Sequence, residues 1–234
     1  MLKLDFTVNC SQTDPSLRLS YPSVFTLFED AATLDAEQIG YDYGKVGKQG
    51  LLWVYTRVYV RFYEMPEYLR KASFETRAGG RKAFIFPRFG RLYDENGKIA
   101  ADLSSYWCLM DAKSRKAILH PPLESIDQTN GDECPLPGKV EIKEAKEVAR
   151  RIVTYSDLDL NRHFNNVRYV EMVLSLKPSS FYETHVLKEI LISYKSEIHE
   201  GEEVILFANE DLSYVRGVVA DRQCFEMNLA FASR

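Results

Sequence analysis

The sequence predicts an α+β protein made of two similar halves, each with one long helix followed by a twisted antiparallel sheet. Each half holds one segment with helical periodicity and several segments with the period-two alternation of strands. The order of these elements is the same in both halves. With 234 residues, the chain has room for two domains of about 100 residues each.

The helix of the first half is predicted from "YPSVFTLFEDAATLDAEQIG", which has Pro22 near its start and Gly40 at its end. Proline suits the first turn of a helix, and glycine suits the residue that follows the last turn. The apolar residues at helical spacing are Val24, Leu27, Phe28, Ala31 and Leu34. We therefore expect one amphipathic helix over this segment.

Strands follow this helix. One side of the predicted strand "LLWVYTRVYVRFYEM" is formed by Val54, Thr56, Val58, Val60 and Phe62. The segments "KAFIFPRFGRLY" and "KIAADLSSYWCLMD" flank the turn "DENG". Asn96 and Gly97 in that turn are typical of a tight hairpin, so we expect the two flanking strands to pair.

The second half follows the same order, with its helix predicted from "NVRYVEMVLSL". The apolar stripe of this helix is formed by Val167, Val170, Val173 and Leu174. The next strand, "LKEILISYKSEI", alternates Ile190, Ile192 and Tyr194. Three further segments, "EVILFANED", "SYVRGVVADR" and "QCFEMNLAFA", predict a meander of strands.

A linker is predicted between the halves from "HPPLESIDQTNGDECPLPG", which contains four prolines and two glycines. Such a stretch interrupts both periodicities and is typical of a connection between domains. We therefore expect an N-terminal domain at 1–120, a linker at 121–138 and a C-terminal domain at 139–234.

The halves also align weakly in sequence. A shift of 143 positions places "TDPSLRLSYPSV" under "SDLDLNRHFNNV", each just before a predicted helix. In this register Asp157 has a counterpart in Asp14, so we interpret it as a structural residue that bonds nearby backbone amides. Asp159, Asn161 and His163 have no such counterpart, which predicts that only the second half uses their chemistry.

Composition limits the classes of function. The formal net charge of −4 gives no reason to expect nucleic acid as a partner. The four cysteines are widely spaced without a CxxC pair, which argues against a zinc site and a disulfide framework and fits a reducing compartment. The start "MLKLDFTVNCSQTD" has no apolar core of signal-peptide length, so no signal peptide is expected, and no apolar run reaches membrane-spanning length. We expect a cytoplasmic protein with no cofactor, metal or membrane partner.

Basic residues cluster in the second half. They are Lys143, Lys146, Arg150 and Arg151, with Arg162 and Arg168 further along. This cluster fits either a solvated face or a docking surface for an acidic carrier protein.

The stretch "SDLDLNRHFNNVRYVEMV" is unusually rich in polar side chains just before the second helix. In an extended segment the alternating Asp159, Asn161 and His163 would share one side. The first turn of the helix offers backbone N–H groups that can stabilise an oxyanion. Histidine also has an unperturbed pKa near neutrality. The pattern therefore predicts an acyl-transfer site with these three residues as candidates.

Simpler interpretations of the same residues stay open. Asn165 and Asn166 are most simply helix-capping residues. Asp159 equally fits a second turn-former, and His163 fits a hydrogen-bonded structural residue. A metal site is not expected, because several His or Cys ligands do not cluster here.

At this point the residues resemble a known family, the acyl-acyl carrier protein thioesterases of plant plastids and bacteria. The second domain of that family carries Asp-x-Asn-x-His followed by two asparagines, which stands here complete as "DLNRHFNN". The resemblance covers essentially the whole chain, including "SYPSVFTLFEDAATLDAEQIG". It implies two tandem hotdog domains, each a long helix wrapped by a twisted antiparallel sheet, and acyl carrier protein as partner.

The resemblance also implies a catalytic carboxylate on the next long strand, in a tyrosine-containing stretch that ends Glu-Cys. "SYKSEI" matches it with Tyr194 and Glu197, but Ile198 replaces the cysteine, so a cysteine nucleophile is impossible there. Glu197 then becomes the better candidate for the general base. The first half is expected to have Met65 at this position. His199 lies outside the motif and is interpreted as a hairpin residue.

The implied reaction is hydrolysis of a fatty acyl thioester on acyl carrier protein. Glu197, alone or together with Asp159, would draw a proton from water, on the expectation that its carboxylate is buried. Asn161 and His163 would orient the carbonyl and the water, and the helix amides would hold the oxyanion. Both a monomer, with the two halves paired, and a homodimer are open.

The same resemblance implies that the first half supplies the acyl pocket. Its aromatic candidates are Phe25, Phe28, Trp53, Tyr55, Phe84 and Trp107. Each of them also fits an ordinary core residue.

Three other functions stay open: an acyl-coenzyme A thioesterase, a hydratase or dehydratase acting on acyl thioesters, and a non-catalytic protein that only binds an acyl thioester. The polar row argues against the last, because burying three polar side chains without a use lowers stability. A serine hydrolase is not expected, because the sequence has no G-x-S-x-G motif.

Overall fold

The computed structural model describes residues 1–120 and 134–234, which form two compact units, Met1–Pro137 and Gly138–Arg234. Most of the predicted linker, 121–133, lies outside the described residues. In its described part, Cys134 is buried, and the hydroxyl of Ser104 donates to the carbonyl of Pro135. This last part of the predicted linker therefore packs on the first unit.

The first unit is one antiparallel sheet with two helices. Its elements are β1 (Leu2–Thr7), α1 (Tyr21–Gln38), α2 (Tyr43–Lys48), β2 (Leu51–Phe62), β3 (Lys71–Ala78), β4 (Ile85–Tyr93) and β5 (Ile99–Asp111). The strand order within the unit is β1-β3-β4-β5-β2.

The second unit repeats this topology. Its elements are β6 (Lys146–Ile152), α3 (Asn166–Leu174), α4 (Ser179–Thr184), β7 (His185–Tyr194), β8 (Glu203–Ala208), β9 (Tyr214–Val219) and β10 (Arg222–Ser233). The order β6-β8-β9-β10-β7 corresponds strand for strand to that of the first unit. The predicted internal repeat and the meander of the last three strands are thus confirmed. The helix predicted over "NVRYVEMVLSL" is present as α3 but is shorter than expected, because it has only nine residues and α4 follows it separately.

Helix α1 begins and ends as its sequence predicts. Ser20 is the N-cap, Pro22 lies in the first turn, and Gly40 follows the helix with φ +81°, a conformation that glycine adopts without strain. Its buried residues are Val24, Phe25, Leu27, Phe28, Ala31, Ala32 and Asp35. Leu34 was expected on this face but is 43% exposed, because it lies just beyond the rim of the buried arc.

A β-bulge changes the predicted faces of β2. The pairing of β2 with β5 shifts register between Tyr55 and Arg57, which leaves Thr56 as the extra residue. Val58, Val60 and Phe62 are buried on one face, as expected. Val54 and Thr56 do not continue that face, because an extra residue reverses the alternation of side chains.

The predicted hairpin between β4 and β5 is confirmed. The two strands pair, and the N–H of Gly97 donates to the carbonyl of Asp94 at 3.1 Å. Gly97 has φ +77°, so the turn uses the conformational freedom that glycine provides.

The aromatic side chains of the first unit form much of its core. Phe25, Phe28 and Tyr55 are buried, whereas the other three candidates for the acyl pocket are half-buried. Tyr55 stacks on Trp107 with ring centroids 4.5 Å apart, and Trp53 packs edge-on against Phe86. These contacts fit a core role, and a role in an acyl pocket stays a prediction.

Among the described helices, none has both the length and the apolar composition required to span a membrane. The cytoplasmic location and the oligomeric state stay predictions.

Candidate active site

The polar stretch before α3 folds as a tight turn and not as an extended row. Residues 155–157 form a short 3₁₀ helix, and Leu158 then pairs with Phe164 across an antiparallel bridge. Between these two residues the chain reverses, with Arg162 in the left-handed region at φ +62°. The period-two geometry expected for Asp159, Asn161 and His163 is therefore wrong, and the turn determines where these side chains lie.

The carboxylate of Asp159 organises this turn. Its Oδ1 accepts hydrogen bonds from the backbone N–H of Asn161 at 2.8 Å and of His163 at 3.0 Å. The N–H of Asp159 donates in return to the carbonyl of His163 at 2.8 Å. These are the contacts of a turn-former, one of the two interpretations that the sequence left open for Asp159.

The same turn precedes α1, at a shift of 145 positions and not the expected 143. The N-cap residues Ser20 and Asn165 correspond at this shift. Oδ1 of Asp14 accepts from the backbone N–H two residues further on at 2.8 Å, as Oδ1 of Asp159 does. Asp14 is therefore the counterpart of Asp159, and the expected pairing of Asp14 with Asp157 is wrong.

Asp157 is a structural residue, as predicted. It is 3% exposed, its Oδ2 accepts from the N–H of Thr154 at 2.9 Å, and Arg151 pairs with its other oxygen. At the shift of 145 its counterpart is Gln12, whose side chain accepts from the N–H of Asn9 at 3.0 Å. Each side chain takes part in capping the 3₁₀ helix that leads into the turn of its own unit, Cys10–Gln12 or Tyr155–Asp157.

Helix α3 begins directly after the turn. Asn165 is its N-cap, and the side-chain oxygen of Asn165 accepts from the N–H of Val167 at 2.8 Å, which confirms the predicted capping role. Asn166, which was also expected to cap, is instead the first residue of the helix. The first turn of α3, with its partial positive charge, thus follows His163 by only a few residues.

Glu197 meets the turn from a separate part of the chain, the irregular segment after β7. Its Oε2 lies 3.5 Å from Nε2 of His163. The N–H of Phe164 donates to the carbonyl of Ile198 at 2.8 Å and fixes the two segments side by side. The fold thus brings together the imidazole and the carboxylate that the sequence singled out.

These side chains are more exposed than expected. The Glu197 side chain is 35% exposed and that of His163 is 23% exposed, while Asn161 is fully in the exposed class. Glu197 is therefore not the buried carboxylate that was expected. Because these polar side chains are not buried, no cost of burial counts against a non-catalytic binding protein. Water, the second reactant of a hydrolysis, can reach both His163 and Glu197.

The first unit keeps this backbone arrangement but not its side chains. Leu19 donates its N–H to the carbonyl of Pro66 at 2.8 Å, the equivalent of the bond that joins the two site segments in the second unit. One residue earlier in each segment, Arg18 replaces the histidine and Met65 replaces the glutamate. The expected position of Met65 agrees with this alignment. The guanidinium of Arg18 donates to the carbonyl of Met65 at 2.8 Å, so no acid–imidazole pair exists at this place.

Two residues beside the site were not assigned to it from the sequence: His199 was interpreted as a hairpin residue, and Arg222 was not considered. The ring of His199 lies edge-on to that of His163, with centroids 5.2 Å apart. It is not a hairpin residue, because β7 and β8 are not neighbours in the sheet. Arg222, at the start of β10, donates to the carbonyl of Glu197. His199 could have been found from its position two residues after Glu197, whereas nothing in the local sequence marks Arg222.

Family models match both halves of the chain. The model of the acyl-ACP thioesterase N-terminal domain matches residues 1–122, and that of the C-terminal domain matches residues 140–224. The chain belongs to the acyl-ACP thioesterase family. The resemblance inferred from the motif "DLNRHFNN" is thus confirmed.

Curated relatives of this family member include plant proteins. The chain is 21% identical to the chloroplastic oleoyl-acyl carrier protein thioesterase of Coriandrum sativum, over 86% of this chain and 60% of the relative. It is 22% identical to the chloroplastic dodecanoyl-[acyl-carrier-protein] hydrolase of Cinnamomum camphora, over 82% of this chain and 55% of the relative. The chain therefore spans somewhat more than half the length of these relatives.

Solved structures of the family share the fold. An acyl-ACP thioesterase from Bacteroides thetaiotaomicron superposes with a TM-score of 0.90 at 22% identity, covering 98% of this chain and 97% of that one. The 12:0-ACP thioesterase from Umbellularia californica gives a TM-score of 0.82 at 18% identity, covering 100% and 97%. The predicted fold of two tandem hotdog domains in one α+β chain is thereby confirmed.

Three of the six residues in the basic cluster of this family member form ion pairs within the chain. Arg150 bonds Glu147 and Glu203, and Arg168 bonds Glu171. Arg151 is paired within the site, as described above. These ion pairs favour the interpretation of a solvated face over that of a basic docking surface.

The described part of this acyl-ACP thioesterase family member contains no group of three His, Cys, Asp or Glu side chains placed to hold a metal ion.

Proposed function

We propose that this chain hydrolyses fatty acyl thioesters carried by acyl carrier protein, releasing a free fatty acid and the carrier thiol. The observation that carries this proposal is the 3.5 Å approach of Glu197 Oε2 to His163 Nε2 in a chain that matches both family domains. The relatives named as thioesterases or hydrolases of acyl carrier protein support the same substrate class.

The chemical step follows from the properties of these groups. Glu197 accepts a proton from water as the water oxygen attacks the thioester carbonyl carbon. The tetrahedral intermediate then collapses with cleavage of the C–S bond, and the leaving thiolate takes up the proton. His163 and Asn161 orient the water and the carbonyl. Rate factors of about 10²–10⁴ are usual for a positioned general base, which is the contribution assigned to Glu197.

The oxyanion is assigned to the N–H of Asn166, the first residue of α3, because the N–H groups of Val167 and Arg168 already donate to Asn165. Backbone N–H groups at a helix start carry partial positive charge and point out of the helix end. They lie directly after the turn that holds His163. A single well-aimed donor of this kind contributes about 3 kcal/mol to lowering the barrier.

We assign the chemistry to the C-terminal domain, 139–234, and the acyl pocket to the N-terminal domain, 1–120. The support is the replacement of the imidazole and the carboxylate by Arg18 and Met65 in the first unit, together with the aromatic side chains clustered there. The first unit thus has a core rich in aromatic side chains, and its described residues place no acid–imidazole pair at the position equivalent to the site.

The assay that tests the proposal offers purified protein a series of acyl carrier protein thioesters and the matching coenzyme A thioesters. We expect release of free acid from the carrier-bound series, detected by mass spectrometry together with the free carrier thiol. Faster release from coenzyme A would indicate the acyl-coenzyme A alternative. Tight binding without any acid release would indicate a non-catalytic binding protein, and an enoyl product would indicate hydratase chemistry.

Asp159→Asn is expected to keep kcat within about tenfold of the unmodified protein, whereas Asp159→Ala loses more. The asparagine retains an oxygen that can accept from the N–H groups of Asn161 and His163, and alanine does not. Two lost hydrogen bonds correspond to about 1–3 kcal/mol of unfolding free energy. The measurements are kcat and thermal unfolding of both variants.

The control for this prediction is Asp14→Ala, which removes the equivalent turn contact in the first unit. It is expected to lower stability by a similar amount and to leave kcat unchanged. If Asp159→Asn is as inactive as a variant without the Glu197 carboxylate, Asp159 takes part in proton transfer and does not act through the turn alone.

A further inference from the structure

The segment that carries Glu197 has no regular secondary structure of its own. Residues 195–202, between β7 and β8, form neither helix nor strand. The position of the Glu197 carboxylate therefore depends on what holds this segment. A displacement of about 1 Å at a reacting group can lower a rate by about 10²-fold, so the anchoring contacts are relevant to the chemistry.

One guanidinium joins both ends of this segment. Nη1 of Arg222 donates to the hydroxyl of Ser196 at 3.0 Å and to the backbone carbonyl of Glu197. Nη2 of the same residue donates to Oε1 of Glu202 at 2.7 Å. The second carboxylate oxygen of Glu202 accepts from the N–H of His199 at 2.8 Å. Arg222 and Glu202 together thus bracket the segment on both sides of Glu197; we call them the clamp.

Backbone contacts fix the residues around Glu197. The N–H groups of Lys195 and Ser196 both donate to the carbonyl of Cys224, at 2.8 and 3.1 Å. Ile198 is fully buried, and its carbonyl accepts from Phe164. The residues that flank Glu197 are thus fixed by backbone hydrogen bonds, and Arg222 of the clamp binds the backbone carbonyl of Glu197 itself.

The clamp orients the segment that carries Glu197 and contributes little to the free energy of unfolding. The side chains of Arg222 and Glu202 are 38% and 28% exposed. Ion pairs with such exposure contribute at most about 1 kcal/mol to folding. The planar guanidinium, however, can donate to three acceptors in fixed directions, which a lysine ammonium cannot reproduce in the same geometry. The contacts of Arg222 are therefore specific in direction even though they are weak in energy.

We propose that Arg222, supported by Glu202, is a positioning residue that holds the Glu197 carboxylate against the imidazole of His163. The proposal rests on the proposed function, because it assigns Arg222 a role in the hydrolysis through Glu197. Arg222 itself contacts the carbonyl of Glu197 and not the reacting atoms. Its effect should accordingly appear in kcat, with little change in KM.

The kinetic test compares Arg222→Met and Arg222→Lys with the unmodified chain. The control is Arg216→Met, which removes another half-buried arginine of the same sheet, one that packs over the ring of Phe207. We expect Arg222→Met to lower kcat 10- to 100-fold with KM within about threefold, and Arg222→Lys to recover part of that loss. Arg216→Met should leave kcat unchanged, and thermal unfolding should shift little for any of the three.

A second readout does not depend on turnover. In a crystal structure of Arg222→Met, the distance from Glu197 Oε2 to His163 Nε2 should exceed the 3.5 Å of the unmodified chain. An unchanged distance overturns the positioning role, as does an unchanged kcat, or a fall in kcat that Arg216→Met reproduces. If no acyl thioester is hydrolysed by the unmodified chain, the proposed function fails, whereas the crystal structure still decides whether the clamp positions the Glu197 carboxylate.

Discussion

Glu197→Gln is expected to lower kcat for hydrolysis of an acyl carrier protein thioester by about 10²- to 10⁴-fold, the usual contribution of a general base. Glutamine has nearly the shape of glutamate and keeps one oxygen acceptor, but it cannot take a proton from water. The substitution therefore removes the proton acceptor and leaves the packing of the segment between β7 and β8 in place. KM should change little, because the carboxylate accepts a proton from water in the chemical step and does not bind the acyl chain.

Stability should be nearly unaffected by this substitution. Glu197 is 35% exposed, and its approach to His163 is a partly solvated contact that contributes at most about 1 kcal/mol. The matched control is Glu200→Gln, an exposed residue of the same segment, which should retain full activity. The measurements are kcat at saturating substrate and thermal unfolding of each variant. A Glu197→Gln enzyme with undiminished turnover would exclude this carboxylate from the mechanism.

The fold was predictable from the sequence because its signals are local. Hydrophobic periodicity located the helix α1 and most strands, and Asn96 with Gly97 located the hairpin between β4 and β5. The bulge at Thr56 was not predictable, because it depends on how β2 pairs with β5 and not on the residues of β2 alone. Leu34 was misplaced for a similar reason: the packing partner of a helix determines where its buried arc ends.

The register of the repeat shows the limit of residue identity as a guide. Matching identical residues aligned Asp14 with Asp157, whereas the hydrogen bonds align Asp14 with Asp159. Aspartate, asparagine, serine and glutamine exchange readily at caps and turns, since each offers an oxygen acceptor to the backbone. The hydrogen bonds of the turn are therefore better conserved between the two halves than the residue identities are.

Some residues of the site could be predicted from a contiguous motif, whereas others come together only through folding. The motif around His163 is contiguous, and the resemblance to the family pointed to Glu197 in another segment. The left-handed conformation of Arg162 could not be expected, because arginine rarely adopts positive φ and the asparagine of this turn, Asn161, lies one residue earlier. Arg222 reaches Glu197 only through the folding of β10 beside β7, so no spacing in the sequence indicates their contact.

Asp35→Ala is expected to produce the largest loss of stability among these substitutions, about 3–5 kcal/mol, by breaking a buried ion pair. Oδ2 of Asp35 on α1 lies 2.7 Å from Nη1 of Arg88 on β4, and the two side chains are only 1% and 9% exposed. Nη1 of Arg88 also lies 3.3 Å from the hydroxyl of Thr76. Burial lowers the pKa of Arg88 from its usual value even though Asp35 opposes that shift, so desolvation is the dominant effect on this guanidinium.

The control for this prediction is an exposed pair. Glu203→Ala removes a partner of Arg150, at 47% and 51% exposure, and should lower the unfolding free energy by less than about 1 kcal/mol. Thermal unfolding of both variants measures the difference. A change of 3–5 kcal/mol corresponds to a fall in Tm of roughly 6–20 °C for a chain of this size.

The double substitution Asp35→Leu with Arg88→Met separates an uncompensated charge from lost packing. In Asp35→Ala the guanidinium stays buried between α1 and the sheet without its carboxylate, and the penalty comes from that charge. Apolar side chains of similar volume remove both charges, so the double variant should recover most of the stability that Asp35→Ala loses. If it remains as unstable as Asp35→Ala, the loss comes from the shape of the contact between α1 and β4.

The ion pair of Asp35 and Arg88 connects the helix of the first unit to its sheet, where we place the acyl pocket, while His163 and Glu197 lie in the other unit. Its loss should therefore raise KM for long acyl chains before it lowers kcat.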